Sequence, residues 1–230
     1  MKSGTIFILG SGPGLNDVDL SLVAGKTTLA FNRSYIAWDE WGFKPTYYMA
    51  IDMRVIKASI ERLKEMAASI EVACMFINAG EYQGFKTTDH LDAGANMFLL
   101  SLAPGHGFKP SWNMMKYCGD VGACSIQVAA ALGYSRAVLL GTDCKWKPRP
   151  DVDKEGNEWI AQGDKDINHF RPDYYGVGQM YSDPFPDAHF ASWKATIQGA
   201  GGRIEILSST PYSRLNELVP YIELEKAVQL

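Results

Sequence analysis

The chain has 230 residues, enough for one large core or two small ones. Its composition, 47% hydrophobic and 21% charged, is that of a globular protein and excludes a disordered one. A net charge of −4, with acidic and basic residues intermixed, excludes the clustered Lys/Arg surface of a nucleic-acid binder and leaves room only for a small basic site for a phosphate.

The first ten residues carry one Lys and a short apolar run that stops at glycine, so no signal peptide is expected there. No stretch approaches the ~20 apolar residues of a membrane helix. The cysteines (Cys74, Cys118, Cys124, Cys144) form no CxxC pair and sit in or beside apolar segments. That pattern suits buried thiols in a reducing compartment, and the expected location is the cytoplasm.

Short apolar runs, several with no polar alternation, predict strands over Thr5–Leu9, Thr28–Phe31, 46–51, 71–77, 97–102, 137–141 and 203–207. Helical spacing lies between them. Ile56, Ile60, Leu63 and Met66 share one face of 55–68, 123–132 is small and apolar, and 188–198 runs into Gly199 and the Gly201-Gly202 pair. Strand and helix alternate, so the expectation is α/β: one Rossmann-like domain with a mostly parallel sheet. Residues 145–186 break the pattern. This segment of roughly forty residues, against the usual ~2 to 6 of an α/β loop, carries Trp146, Trp159, Phe170, Tyr174, Tyr175, Tyr181 and Phe185, and reads as a lid insertion.

Candidate chemistry begins at Gly10-Ser11-Gly12-Pro13-Gly14, where a strand runs through glycines into a short helical stretch. Glycines admit an anion to backbone N–H groups, Pro13 suits a first helical turn, and the helix behind supplies partial positive charge. The motif equally suits a tight turn, and it is neither the dinucleotide nor the P-loop glycine pattern. Asn32 and Asp52 end the second and third strands, where ligands of open α/β sheets sit; either also suits a helix cap. Gly122, at a glycine-marked helix start, offers further backbone donors, and Asp143 ends the strand of Gly141-Thr142-Asp143. Within the insertion, His169 stands among Asp, Arg and Tyr as a candidate general base. His90 and His106 have no comparable setting, and the helical pattern around His189 predicts a packing role.

In their order, Ile8-Leu9-Gly10-Ser11-Gly12-Pro13-Gly14-Leu15, Asn32, the run from Gly122 through Ala129-Ala130-Ala131-Leu132-Gly133-Tyr134, and Gly141-Thr142-Asp143 resemble the bacterial sialyltransferases of glycosyltransferase family 42. They also resemble the related domain-of-unknown-function-115 proteins, which include flagellin-modifying glycosyltransferases and an archaeal pterin diphosphokinase. The resemblance implies that Gly10 to Gly12 and Asn32 hold a CMP-sugar, that Gly122 contacts its phosphate, and that His169 is the general base of a metal-independent transfer. An acceptor hydroxyl, deprotonated by His169, would attack the anomeric carbon in line as CMP leaves, with lid tyrosines neutralising the phosphate. The chain departs from the family at Ser11 and Asp52, where the family has Asn, and at Cys118, where it has Arg. Lys145, Tyr174 or Tyr175 would replace its paired phosphate-binding tyrosines. The implied partners are a nucleotide-sugar donor and a small-molecule or glycan acceptor. A second reading is an ATP-dependent diphosphokinase with Mg²⁺ held by Asp52 and Asp143. A third is a non-catalytic nucleotide-binding module. The apolar-containing tail, 221–230, suits docking on a second copy in a homo-oligomer.

Overall fold

The computed structural model describes residues 4–156, 158–182 and 185–230. In chain order its main strands are β1 (Thr5–Leu9), β2 (Thr28–Phe31), β3 (Tyr47–Ala50), β4 (Cys74–Asn78), β5 (Met97–Leu100), β6 (Arg136–Leu140), β7 (Val152–Glu155), β8 (Glu158–Ala161), β9 (Met180–Ser182) and β10 (Glu205–Ser208). The principal helices are α1 (Met53–Ala58), α2 (Ile60–Ala68), α3 (Val121–Ala131) and α4 (Pro186–Ala200).

Seven strands form one sheet in the order β10-β6-β1-β2-β3-β4-β5, and every pair in it is parallel. The apolar runs are continuous because both faces are covered. From β1, Ile6 and Ile8 face α3 and α4 in one cluster with Ala123, Ile126 and Trp193, while Phe7 and Leu9 face Leu15 and Val23 in another. The order runs outward from β1 through β5 on one side and returns with β6 and β10 on the other. The reversal between β1 and β6 is where an open sheet of this kind forms its ligand crevice.

Several elements differ from the sequence expectation. The helix expected over 55–68 starts earlier, at Met53, because the Asp52 side chain accepts the Arg54 N–H. It divides at Ser59, whose φ and ψ of −110° and 12° are not helical and whose hydroxyl bonds Tyr35. α4 continues to Ala200 and ends on Gly201 at φ +54°. Gly199 is inside this helix; a Cβ there would lie 2.8 Å from Phe108 Cβ, so it is a packing glycine and not a stop.

The segment 145–186 is structured. β7, β8 and β9 form a three-stranded antiparallel sheet, and Phe170, Tyr174, Tyr175 and Tyr181 are buried with Phe7, Leu9, Val138 and Leu140 of the main sheet. Its residues 157, 183 and 184 lie outside the described residues. In the tail, Leu224 and Ala227 are buried in that same cluster, while Tyr221 and Leu230 are exposed.

Candidate functional site

A pocket of about 240 Å³ opens beyond the carboxyl ends of β1, β2 and β6. Gly10, Ser11, Gly12, Asn32, Asp52, Gly122, Asp143, Lys145, His169 and Tyr175 line it, so the sequence candidates converge on one cavity, with Tyr174 the exception. What each residue does there differs from the expectation in several places.

The glycine loop is a packing junction. Gly10 N–H donates to Leu140 O at 2.6 Å, Gly12 N–H to Gly141 O at 2.8 Å, and Gly14 N–H to both Asp143 oxygens at 3.2 and 3.1 Å. These three donors are therefore spent within the protein and do not await an anion. The glycines are required because β6 and its following loop press on them. A Cβ on Gly10 would lie 2.6 Å from the Gly141 carbonyl carbon, one on Gly12 2.8 Å from Asp143 Cγ, and one on Gly14 2.7 Å from Asp143 Oδ1. The turn behind Pro13 is a five-residue 3₁₀ segment, Pro13–Asp17, too short to supply the helix field expected of it.

Asp143 anchors that loop. Burial pushes its carboxyl above the usual range, against the opposing Gly14 N–H and Lys145 charge. Asp52 caps α1 through its Oδ1, 2.9 Å from Arg54 N. Among the described residues no group of three or more His, Cys, Asp or Glu gathers as a metal would require, and the carboxylates proposed for Mg²⁺ are engaged by backbone donors.

Asn32 is the unsatisfied member. It ends β2 at φ +52°, its carbonyl accepts from the Tyr48 hydroxyl at 2.6 Å, and its side-chain Oδ1 is buried without a partner. Thr142 Oγ1 and Trp146 Nε1, on two further pocket residues, are also buried and unpartnered. A buried polar atom left unpaired costs about 1–3 kcal/mol, so a ligand that satisfies these groups gains by it.

His169 is held from behind. Its Nδ1 lies 2.8 Å from Asp166 Oδ2, its ring stacks on Tyr174 with centroids 4.1 Å apart, and Trp146 and Tyr175 meet it edge-on. With Nδ1 engaged, Nε2 is the nitrogen left for the pocket. The Asp166 side chain is fully buried; burial opposes its charge, but His169, the Asn168 N–H and Arg149 together hold its carboxyl below the usual range. Phe170 N–H donates to Ser11 O at 3.0 Å and Asn16 Nδ2 to Phe170 O at 2.9 Å, which ties the histidine's own loop to the glycine loop.

Tyr174 does not line the pocket. It is buried, its hydroxyl accepts the Arg33 N–H at 3.3 Å, and its ring supports His169. Lys145 is exposed at the rim, its Nζ donating to the Tyr212 carbonyl. Gly122 stands in the first turn of α3, where a Cβ would lie 2.7 Å from Trp193 Cζ2, so the indole wall of the pocket requires glycine there.

Sequence reasoning missed Asp120, Arg54, Trp146 and His189. Asp120 caps α3 through Ala123 N–H at 2.9 Å, and its other oxygen lies 3.6 Å from His189 Nδ1. His189 thus borders the pocket where packing was expected. Arg54 spans from the core to the insertion, 3.1 Å from Glu158, which also accepts the Tyr82 hydroxyl. A charged residue two positions past the Asp52 helix cap was the available signal for Arg54, and the Gly-Asp-Val-Gly helix start the signal for Asp120.

No known family profile and no curated protein sequence matches this chain. Solved structures do. The sialyltransferase CstII from Campylobacter jejuni, in complex with the substrate analogue CMP-3FNeuAc, superposes with a TM-score of 0.51 at 13% identity, over 94% of this chain and 85% of that one. A variant of the same sialyltransferase in complex with CMP gives 0.54 at 14% identity, over 94% and 85%. The MAf glycosyltransferase from Magnetospirillum magneticum AMB-1 gives 0.54 at 14%, over 96% of this chain but 34% of that one. This chain spans about a third of the Magnetospirillum protein. Among the described residues no helix is long and apolar enough to cross a membrane. The likeness is one of fold: a Rossmann-like α/β architecture around a seven-stranded parallel sheet.

Proposed function

We propose that the chain is a glycosyltransferase that takes a nucleotide-activated sugar, with CMP as the nucleotide, and that His169 is its general base. One observation carries this reading: a histidine oriented by a buried carboxylate borders the pocket at the sheet's topological switch point. The likeness of fold to glycosyltransferases that bind CMP supports the choice of nucleotide.

In the proposed reaction Nε2 of His169 takes the proton of an acceptor hydroxyl, whose oxygen attacks the anomeric carbon as the bond to the nucleotide phosphate breaks. Asp166 accepts from Nδ1–H throughout and stabilises the imidazolium that forms. Asn32 Oδ1 accepts from a ribose hydroxyl or the base. The first-turn N–H groups of Val121 and Gly122 in α3, with Lys145 at the rim, face the leaving phosphate. The diphosphokinase reading would draw on Asp52 and Asp143, which line the same pocket but also cap α1 and anchor Gly14.

The test is a titration of CMP, CDP, UDP, ADP and ATP, each with and without Mg²⁺, followed by thermal unfolding. A native-state ligand at a hundredfold excess over Kd stabilises by about 2.7 kcal/mol. The expected outcome is stabilisation by CMP without Mg²⁺. His169→Ala is expected to keep that stabilisation and lose transfer from a CMP-sugar. A response to ATP that needs Mg²⁺, with none to CMP, defeats the proposal.

A further inference from the structure

Arg149 is completely buried in the insertion and is shared between two carboxylates. Asp151 takes its fork, with Nε to Oδ1 at 3.0 Å and Nη2 to Oδ2 at 2.8 Å. Nη2 also donates to Gly163 O and Nη1 to Tyr175 O, each at 3.2 Å. Only Nη1 reaches Asp166, at 3.2 Å from Oδ2. That oxygen is the one 2.8 Å from His169 Nδ1 and 3.3 Å from Tyr175 N, while Oδ1 accepts the Asn168 N–H at 3.0 Å. A guanidinium presents two parallel N–H groups that match a carboxylate, so an Arg released from one carboxylate takes both oxygens of the next.

We infer that Asp151 is a positioning residue for His169: by occupying the Arg149 fork it leaves Asp166 Oδ2 open to the imidazole and so fixes which ring nitrogen carries the proton. Asp151 touches neither the pocket nor His169 and acts through Arg149 and Asp166. The side chain is an eighth exposed and also accepts the Lys165 N–H at 3.2 Å. Without its charge the fork turns to Asp166, Oδ2 is taken from His169, and the Nδ1–H tautomer loses its anchor. The other groups around the ring are Tyr174 stacked on it and Tyr175 and Trp146 at its edges, none of which offers Nδ1 a carboxylate. The inference rests on His169 as the base, but its test reads the ring directly and requires no donor.

The experiment is a long-range ¹H–¹⁵N correlation of the imidazole rings in the full chain, in the alkaline range where they are neutral. Four histidines make assignment by His169→Gln direct. The wild type is expected to show one tautomer at His169, Nδ1 protonated and Nε2 bare. Asp151→Asn, which keeps the shape and removes the charge, is expected to lose that single-tautomer pattern, and Asp151→Glu to retain it. Near-ultraviolet circular dichroism checks the fold of each. The inference is overturned if His169 carries its proton on Nε2 in the wild type, or if folded Asp151→Asn keeps the wild-type pattern. It is equally overturned if both variants fail to fold, which assigns Asp151 to the insertion's fold alone.

Discussion

Gly12→Ala separates a packing loop from an anion cradle. Gly12 has φ −74° and ψ 161°, values that alanine adopts freely, so its backbone imposes no cost. The new Cβ, however, would lie 2.8 Å from Asp143 Cγ and 2.9 Å from Gly141 O, with a carboxylate oxygen nearer still. Gly141 is on the loop that ends β6, so the carboxylate must move, and it leaves the Gly14 N–H. Overpacking costs about 1–3 kcal/mol and a lost hydrogen bond to a charged group about 1.5–3, against about 0.4–1 regained because alanine restricts the unfolded chain. The net expectation is a loss of about 2–4 kcal/mol in urea unfolding followed by tryptophan fluorescence, at an unchanged m-value. Truncating the obstruction tests the cause: Gly12→Ala with Asp143→Ala should be less destabilised than the two single changes added, by more than about 1 kcal/mol. A Gly12→Ala protein within about 0.5 kcal/mol of wild type that has lost CMP affinity refutes the packing argument and returns the loop to the ligand.

Asp166→Asn keeps the shape but exchanges an acceptor for an amide beside Nδ1, and kcat for sugar transfer should fall by roughly 10⁴-fold with CMP affinity unchanged, as for other oriented histidines. Equal losses in CMP affinity and kcat would place Asp166 in the binding wall instead. Asn32→Gly relieves the φ of +52° and removes the unpaired Oδ1, so stability should hold or rise by about 1 kcal/mol while the CMP Kd increases roughly tenfold, read by calorimetry. Glu71 is held at about 2 by Arg62, at 2.5 and 2.9 Å, and by Lys44, with burial opposing. Its folded pKa is depressed from 4.5, so the stability it contributes is present above pH 4.5 and is lost as pH falls toward about 2. Glu71→Gln should therefore cost about 2–3 kcal/mol at neutral pH and flatten the acid limb of the stability curve, and an unchanged acid limb would contradict the assignment.

The parallel sheet was legible because strands covered on both faces must be apolar at every position, as Ile6-Phe7-Ile8-Leu9 and Ala137-Val138-Leu139-Leu140 are. The strands of the insertion were not. β7 reads Val-Asp-Lys-Glu, with three of its four residues exposed, and nothing in that run distinguishes a paired strand from a loop. Ser59 and Gly199 show the same limit in helices: a break fixed by a hydroxyl on Tyr35, and a glycine required by Phe108, depend on residues far away in sequence. In the site, residue types at strand ends picked out side chains that share one cavity, but not the contacts each makes there. Asp143 was read toward a ligand, and its carboxylate holds Gly14 across 129 positions. Asp166 stands three residues before His169, but what marks it out is Arg149, from another part of the insertion.

Strain and missing hydrogen bonds meet at the pocket. Among the described non-glycine residues with positive φ, Asn32 and Cys144 line it, and Cys118 adjoins Gly119, which does. A non-glycine residue held in that region costs of order 1–3 kcal/mol, less for asparagine, and persists where the surroundings over-determine it. The unpartnered Asn32 Oδ1, Thr142 Oγ1 and Trp146 Nε1 border the same space. Both costs fall at the ends of strands whose cores are fully buried, so the rigid sheet holds in place groups that would otherwise relax. Asn32 joins the two: a residue in the left-handed region, its carbonyl fixed by Tyr48, with an amide oxygen left open. Glycine would suit that backbone better, and glycine has no amide. On the proposed reading, asparagine at position 32 serves the ligand: it tolerates the left-handed backbone and, unlike glycine, brings a side-chain amide oxygen to the pocket.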